Sequence, residues 1–321
     1  MKTVLITGAN GFIGSFITEA ALSKDWTTWA GVRKTGNREY LQDPRIRFID
    51  LNYNDKDCLK QQIVQHRAQY GRWDYVVHNA GLTKCLDYAE FDRVNYQYTK
   101  NLIEALQDTG NVPDKFLLMS SFSAHHPQVK TRYGHSKQQA EQFLQSQTNF
   151  PCMILCPTGV YGPRDKDYFL MLKTIQSGWD LTVGRQAQQL TFIYVKDLAK
   201  AVVLALESPL TNRRYDVADG QVYSDAQYTQ FAQQALGKKR VVRLRVPIWG
   251  LKLVSVVAET IARCTRKAST LNRDKYEIMK QRDWRCDTRP IETELGFHAD
   301  YNLQRGLEES VAWYRSKKWL K

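Results

Sequence analysis

The chain opens MKTVLITGANGFIG, and this stretch constrains the fold more than any other. A β-branched run, Thr3 to Thr7, stops at a glycine, and from Phe12 onward apolar side chains recur at helical spacing (Phe12, Phe16, Ile17, Ala20, Ala21). Strand, glycine-rich turn and helix follow one another directly. Gly8 permits a tight turn, Gly11 lets backbone N–H groups approach a pyrophosphate, and Gly14 lets the helix pack close to the strand, while the helix N-terminus favours an anion. In this context the glycines predict a dinucleotide site, with Gly8, Asn10, Gly11, Phe12, Ile13 and Gly14 around the phosphates.

Alternation continues along the chain. WTTWAGV (26–32), a helix over Asp57–Gln69, YVVHNA (75–80), a helix over Tyr96–Leu106, FLLMSS (116–121), a helix over Ser136–Gln145 and CMILCPT (152–158) read as strands separated by helices. Such alternation means right-handed crossovers and a doubly wound parallel α/β sheet of Rossmann type. After Pro157 the pattern loosens, and FIYV (192–195), a helix over Lys196–Glu207 and RYDVA (214–218) read as a return to the sheet. The expected organisation is therefore a dinucleotide-binding domain of 1–159 plus 191–220 and a smaller, discontinuous C-terminal α/β substrate lobe of 160–190 plus 221–321.

With 321 residues, 43% of them hydrophobic, the chain can bury a sizeable core. Its net charge of +13 leaves nucleic acid, a membrane surface or an anionic ligand open as partners. The excess is local: Lys238–Lys321 holds 20 of the 46 basic residues and 10 of the 33 acidic ones, leaving 26 against 23 before it. Six cysteines lie scattered without CxxC or Cys/His ligand spacing, which argues against a zinc site and for reduced thiols in a cytoplasmic protein. The first residues are too glycine-interrupted for a signal peptide, and no uncharged stretch is long enough to span a bilayer. Val246–Arg266 has Ile248, Leu251, Val254, Ala258 and Ile261 at helical spacing, with Arg263, Arg266 and Lys267 at its end. It reads as a lid or packing helix, with peripheral membrane contact as the alternative.

The second strand bears on the cofactor. NAD enzymes typically place an acid at its end to hold the adenosine ribose, whereas this chain reads AGVRKTGNR. Arg33, with Lys34 and Arg38 behind it, would instead meet a 2′-phosphate, so NADP is expected and NAD remains possible. Asp50 and Leu51 would flank the adenine, and Asn79, Ala80 and Gly81 would run beneath the ribose and nicotinamide. FLLMSSFSA (116–124) ends in hydroxyls, and Tyr133 and Lys137 stand four apart at the start of a helix. On one helix face an ammonium can lower a phenol pKa while the phenol transfers a proton, and a serine at the strand end can polarise the substrate oxygen.

TGANGFIG, HNAG, the Asn95 of VNYQYTKNLIEA, SSFSA, YGHSK, CPTGVYGP, FIYVKDLAKAV and the final ELGFHADYNLQRGLEESVAWYRSKKWL together resemble the extended short-chain dehydrogenase/reductases, the NAD-dependent epimerase/dehydratase family. The likeness runs over nearly the whole chain. It implies Tyr133 as catalytic acid/base, Lys137 as its partner and Ser121, flanked by Ser120 and Ser123, as the strand-end hydroxyl. It also implies that Asn95, Pro157, Thr158 and Val160 belong to the cofactor site, and that the helices over Tyr96–Leu106 and Ser136–Gln145 build a homodimer.

Departures from the family pattern narrow the reaction. The Asp-Glu pair that follows the catalytic Thr in sugar-nucleotide dehydratases is Phe122-Ser123 here. The Arg-Asp before the FIYV-type strand of nucleotide-sugar epimerases is Leu190-Thr191, and the arginine before the proline of the sixth strand is Cys156. Arg164, Arg185 or Arg273 could compensate. The pattern resembles the reductase and sterol-dehydrogenase-like branch, which implies NADP(H)-dependent exchange of a secondary alcohol and a ketone on a small anionic or apolar substrate. A nucleotide-sugar 4-epimerase with retained cofactor is the alternative enzyme. A non-catalytic cofactor sensor or RNA-binding relative is the alternative of another class, disfavoured by Tyr133 and Lys137 and by the lack of base-stacking aromatics among the charges. Met171, Leu172, Ile175 and Trp179 would line the substrate lobe, and His125 and His126 sit in a loop that could reach it.

Overall fold

Residues that must be covered on both faces of a sheet read as unbroken apolar runs. YVVH and KFLLM are buried at every position in this computed structural model, which describes residues 1–265 and 272–320, and the side chains of these outside 261–264. The strands β1 (Thr3–Thr7), β2 (Thr27–Gly31), β3 (Arg47–Ile49), β4 (Tyr75–His78), β5 (Lys115–Met119) and β6 (Cys152–Pro157) join Arg213–Val217 in one parallel sheet. The order across it is Arg213–Val217, β6, β5, β4, β1, β2, β3. The order therefore reverses between β1 and β4, and in such sheets the ligand crevice lies beyond the carboxyl ends of the strands at that reversal.

Alternation along β1 sends Val4 and Ile6 to one face and Leu5 to the other, each into its own apolar cluster. Helix α1 (Phe12–Ser23) contributes Phe16 and Ile17 to the first cluster. The second takes Leu59 and Ile63 of α2 (Lys56–Tyr70). A short turn, α3 (Ala89–Phe91), then runs through a π-helical stretch, Asp92–Gln97, into α4 (Tyr98–Asp108). Leu102 and Ile103 of α4 and Ala140 and Leu144 of α5 (Arg132–Gln145) complete that face. Beyond β6 come α6 (Asp167–Gln176) and α7 (Val195–Glu207), the latter returning Leu198 and Val202 to the first face.

One expected strand lies elsewhere. Phe192–Tyr194 pairs in parallel with Gly159–Tyr161 in a separate two-stranded sheet. The reason is that the free edge of β6 is taken by Arg213–Val217, in register Met153 to Arg213, so FIYV has no edge of the main sheet to join. It nucleates a third, aromatic cluster instead, with Tyr161, Phe192, Tyr194, Tyr223 and Tyr228 around Leu303 and Leu307. Leu172 and Ile175 belong to that core, whereas Met171 and Trp179 stay half exposed. Beyond these lie a parallel pair, Trp179–Val183 with Val242–Val246, a short antiparallel pair, Gln189–Leu190 with Tyr223–Ser224, a 3-10 turn at Phe122–Ala124, and the helices α8 (Asp225–Leu236), α9 (Ile248–Thr265), α10 (Arg273–Met279), α11 (Arg289–Leu295) and α12 (Leu303–Ser316). Of the residues singled out at the end of the α9 segment, Arg266 and Lys267 and the side chains of Ile261 and Arg263 lie outside the described set. Among the described residues no helix is long and apolar enough to cross a membrane.

Candidate active site

The glycine turn packs backbone against backbone. Gly8 has φ +63°, and a Cβ there would lie 2.9 Å from the Ala80 Cα. A Cβ on Gly14 would lie 2.2 Å from the Gly8 carbonyl oxygen. Gly11 caps α1 without any side-chain acceptor, and no acid stands in the first turn, so the helix end offers its N–H groups to an outside anion. Thr7 ties this loop to β4: its hydroxyl accepts from the N–H of Asn79 (3.1 Å) and of Ala80 (3.0 Å) and lies 3.0 Å from His78 Nδ1. With both acceptor positions filled, the Thr7 proton goes to His78, whose burial pulls its pKa down to about 3 and keeps it neutral. Asn79 also donates to the Gly8 carbonyl at 3.4 Å. This cradle fits a dinucleotide pyrophosphate.

At the end of β2, Arg33 and Lys34 are exposed, and neither side chain forms an ion pair among the described residues. The Lys34 N–H donates to Asp50 Oδ2 at 2.9 Å, so the acid absent from β2 is supplied to the same corner by β3. Leu51 is buried beside it. Arg38 is exposed, with its guanidinium over the Phe48 ring at 4.0 Å. Asn10 approaches this corner, its Nδ2 3.2 Å from where a Gly36 Cβ would be. Phe12 and Ile13 are half-buried in the first turn of α1.

Asn95 is fully buried in the π-helical stretch, where it accepts from Leu82 N–H (2.8 Å) and donates to the Leu82 carbonyl and to Ser136 Oγ, both at 3.0 Å. It thereby clamps the loop after Gly81 to α5. A Cβ on Gly81 would meet Asn95 Oδ1 at 2.9 Å and Lys137 Nζ at 3.0 Å, so Gly81 and Lys137 face one another. Pro157, Thr158 and Val160 follow at the end of β6. The Thr158 N–H bonds the Val217 carbonyl, and Val160 pairs with Ile193 and packs against the first core cluster.

Thr131 caps α5 by accepting from Gly134 N–H at 2.9 Å, which places Tyr133 in the first turn and Lys137 one turn on. The Ser121 hydroxyl, at the mouth of β5, lies beside the Tyr133 phenol and favours its ionised form. Lys137, 5% exposed, donates to the Met119 carbonyl at 2.9 Å. The structure corrects one expectation here. Burial raises the Tyr133 phenol above its usual range, with the Ser121 hydroxyl opposing, and the same desolvation pulls Lys137 down to about 8. Desolvation is thus the largest influence on the phenol, where the ammonium was expected to lower it.

Sequence reasoning missed Glu141. It continues the Tyr133–Lys137 ladder by another four residues, a period that could have revealed it. Glu141 is buried, accepts from Ser120 Oγ, lies 2.5 Å from His125 Nε2 and 3.6 Å from Cys156 Sγ, and its charge pushes back against the lowering of Lys137. His125, Glu141 and Cys156 thus bring three potential metal-ligand atoms within 4.8 Å, a grouping that their separation in sequence conceals. Replacing Glu141 with Ala leaves the buried Ser120 hydroxyl without its acceptor and His125 without the carboxylate it faces, and a thermal melt is expected to show a loss of about 1–3 kcal/mol.

The C-terminal segment closes the site. Asp274 of α10 accepts from Tyr133 N–H at 3.0 Å, and Arg273, Asp274, Tyr88, Ser123 and Thr131 line a cleft of about 670 Å³ beside α5. His126 is buried, with Nε2 2.7 Å from the Asp283 carbonyl and its ring 4.6 Å from Trp284. Both loop histidines are therefore held by the protein itself. No local pattern announces Asp274 or Trp284, because Asp274 lies 141 positions from Tyr133 and Trp284 lies 284−126=158 positions from His126. Arg164, a candidate phosphate ligand, is instead bonded to Ser15 (2.9 Å) and Glu19 (2.5 Å) and stacked over Phe16 and Tyr40.

A seven-stranded parallel sheet, a phosphate cradle at its reversal and a Ser–Tyr–Lys cluster beside it define a nucleotide-binding oxidoreductase. The model of the NAD dependent epimerase/dehydratase family matches residues 4–218, and the chain belongs to that family. It is 25% identical to the ceramide reductase of Caulobacter vibrioides (strain NA1000 / CB15N), over 99% of this chain and 96% of the relative. It is also 25% identical to the 3 beta-hydroxysteroid dehydrogenase/Delta 5-->4-isomerase of Monkeypox virus, over 100% and 99%. The fold matches the Thermus thermophilus UDP-glucose 4-epimerase complex with NAD at a TM-score of 0.75, with 20% identity over 98% of this chain and 99% of that one. The enzyme is an NAD(P)-dependent oxidoreductase of this family.

Proposed function

We propose that the protein catalyses reversible, NADP(H)-dependent exchange of a secondary alcohol and a ketone on an apolar, lipid-like substrate. The observation that carries this reading is the Ser121 hydroxyl beside the Tyr133 phenol, with buried Lys137 one helical turn further along α5. Nicotinamide, when bound, supplies or accepts the hydride. Ser121 and Tyr133 grip the substrate oxygen, and Tyr133 gives the oxygen its proton on reduction or takes it on oxidation. Lys137, facing Gly81, holds the ribose and favours the ionised phenol. The substrate lies between this cluster and the lobe of 160–190 plus 221–321, with 1–159 plus 191–220 carrying the cofactor. A homodimer through α4 and α5 completes the assembly.

Three observations favour a reductase over an epimerase. Leu190 and Thr191 stand where the pyrophosphate-binding Arg-Asp would be, and Thr191 Oγ1 is engaged by the Trp284 carbonyl at 2.6 Å. Cys156 replaces a second arginine, and Arg164 is tied to α1. Relatives named for ceramide and for a 3β-hydroxysteroid, both apolar lipids, fit the same reading.

Titration with NADP(H) and NAD(H), followed by a panel of lipid ketones and UDP-sugars, tests it. Arg33→Asp is expected to weaken NADPH binding by about tenfold or more, the loss of one charge-assisted contact, while leaving NADH unchanged. Unchanged NADPH affinity in that variant would refute the 2′-phosphate assignment. Because Lys137 titrates near 8, its charge is present below that pH and lost above it, so cofactor affinity should fall as pH rises through about 8. Lys137→Met, measured over the same range, should show no such fall.

A further inference from the structure

Strand residues two apart share a face, and in a parallel pair registered residues point the same way. In the small sheet of Trp179–Val183 with Val242–Val246, Val242 is opposite Trp179 and Leu244 opposite Leu181. Asp180 and Thr182 point inward and are buried, so the outer face carries Trp179, Leu181, Val242 and Leu244, all about half exposed, and is covered only at its end, where Val183 is buried. The second strand runs through Pro247 straight into α9. There Leu251 and Ser255 are buried, and the opposite stripe presents Trp249, 73% exposed, with Leu253 and Val257. Scattered exposed apolar residues are ordinary, but a sheet face and a helix stripe joined by one residue form a patch that monomers rarely leave uncovered.

The charges around the patch identify what covers it. Lys238 to Ala258 contains six cations and no acid; Arg243 and Arg245 share the inward face with Asp180 and Thr182, which leaves Lys238, Lys239, Arg240 and Lys252 to rim the patch. Arg243 is paired with Asp180 at 2.6 Å, and Lys238, Lys239 and Arg240 are exposed with no ion pair among the described residues. A second copy of the chain is a poor occupant, because a two-fold contact would set this cationic rim against itself and interface cores are depleted of lysine. Large apolar side chains ringed by lysine and arginine match the headgroup and acyl boundary of an anionic bilayer, where an amphipathic helix lies flat rather than spanning. We propose that the β-pair Trp179–Val183/Val242–Val246 together with α9 is a docking surface for an anionic lipid bilayer. This inference rests on the surface alone and stands whatever the substrate is.

Co-sedimentation of the full chain with phosphatidylcholine vesicles, with and without phosphatidylglycerol, tests it. Binding should require phosphatidylglycerol, and it should weaken as salt rises because the Debye length shrinks to about 3 Å at 1 M. Leu181→Glu/Leu253→Glu and the separate variant Lys238→Glu/Lys239→Glu/Arg240→Glu should each weaken binding at least about tenfold. Both should keep their melting temperature and NADPH affinity, since the altered side chains are exposed. Failure to bind phosphatidylglycerol vesicles would overturn the proposal, as would undiminished binding by both variants. So would a concentration-dependent dimer that Leu181→Glu/Leu253→Glu abolishes, because the patch would then be covered by a second copy. None of these outcomes depends on the assignment of Tyr133 or of the cofactor.

Discussion

Tyr133→Phe is expected to lower kcat by about 10²- to 10⁴-fold, the range general acid–base catalysis contributes. NADPH affinity and melting temperature should remain close to those of the parent. The two effects separate because the ring and the hydroxyl do different things. The ring packs edge-on against Phe91 at 5.9 Å, and the Tyr133 N–H keeps its bond to Asp274, so Phe preserves the helix start and the packing. Only the hydroxyl beside Ser121 is lost. Because burial raises this phenol in the structure, the catalytically useful ionised form depends on Lys137, and Lys137→Met should show a comparable loss of turnover together with weakened cofactor binding. The melt of Lys137→Met is informative in the other direction. Lys137 titrates near 8 rather than 10.5, so between those values the unfolded chain binds more protons, and parental stability should rise with pH across that window. The Met variant lacks a buried amine to desolvate and should lose that slope. An unchanged kcat in Tyr133→Phe would remove the phenol from the mechanism.

The second large effect is at the glycine turn. A methyl at position 14 would lie 2.2 Å from the Gly8 carbonyl oxygen and 2.9 Å from the Ala9 Cα, both backbone atoms that no rotamer change can move aside. Gly14→Ala must therefore push α1 away from the end of β1. Overpacking of this kind costs about 1–3 kcal/mol. Displacing the helix also misdirects its N-terminal N–H groups, so cofactor affinity should fall by well over about tenfold, the loss of one such contact. Gly11→Ala provides the comparison. A Cβ at that position meets only the Gly8 carbonyl, at 3.3 Å, and φ there is −76°, so the loop itself should tolerate the methyl and the melt should move little. Differential scanning fluorimetry with and without NADPH distinguishes the two. Equal melting temperatures for Gly14→Ala and the parent would show that α1 does not approach β1 as closely as the structure describes.

The half of the molecule built from repeated strand and helix periods was legible from its sequence. TVLIT, YVVH and CMILCP announce buried parallel strands because both faces are covered, and the glycine spacing announces the turn. FIYV looks equally strand-like and is a strand, but sequence periodicity carries no information about which edge is free. Arg213–Val217 claims β6, and FIYV pairs elsewhere. Within the site, Ser121, Tyr133 and Lys137 could be read because strand end and helix start are local signals. Glu141 obeys the same four-residue period and was overlooked because a glutamate on a helix usually faces water. Asp274, Trp284 and the engagement of Arg164 by α1 are long-range packing outcomes with no local trace.

The central claim is that hydride passes between an exchangeable NADP(H) and a ketone carbon held by Ser121 and Tyr133. The most direct test is mass spectrometry of products after incubation with NADPH deuterated at both C4 positions, against a panel of lipid ketones and UDP-sugars. One deuterium is expected at the carbinol carbon of a reduced lipid ketone, with NADP⁺ formed in equal amount. Epimerised UDP-sugar carrying no deuterium, with no NADPH consumed on any ketone, would contradict it.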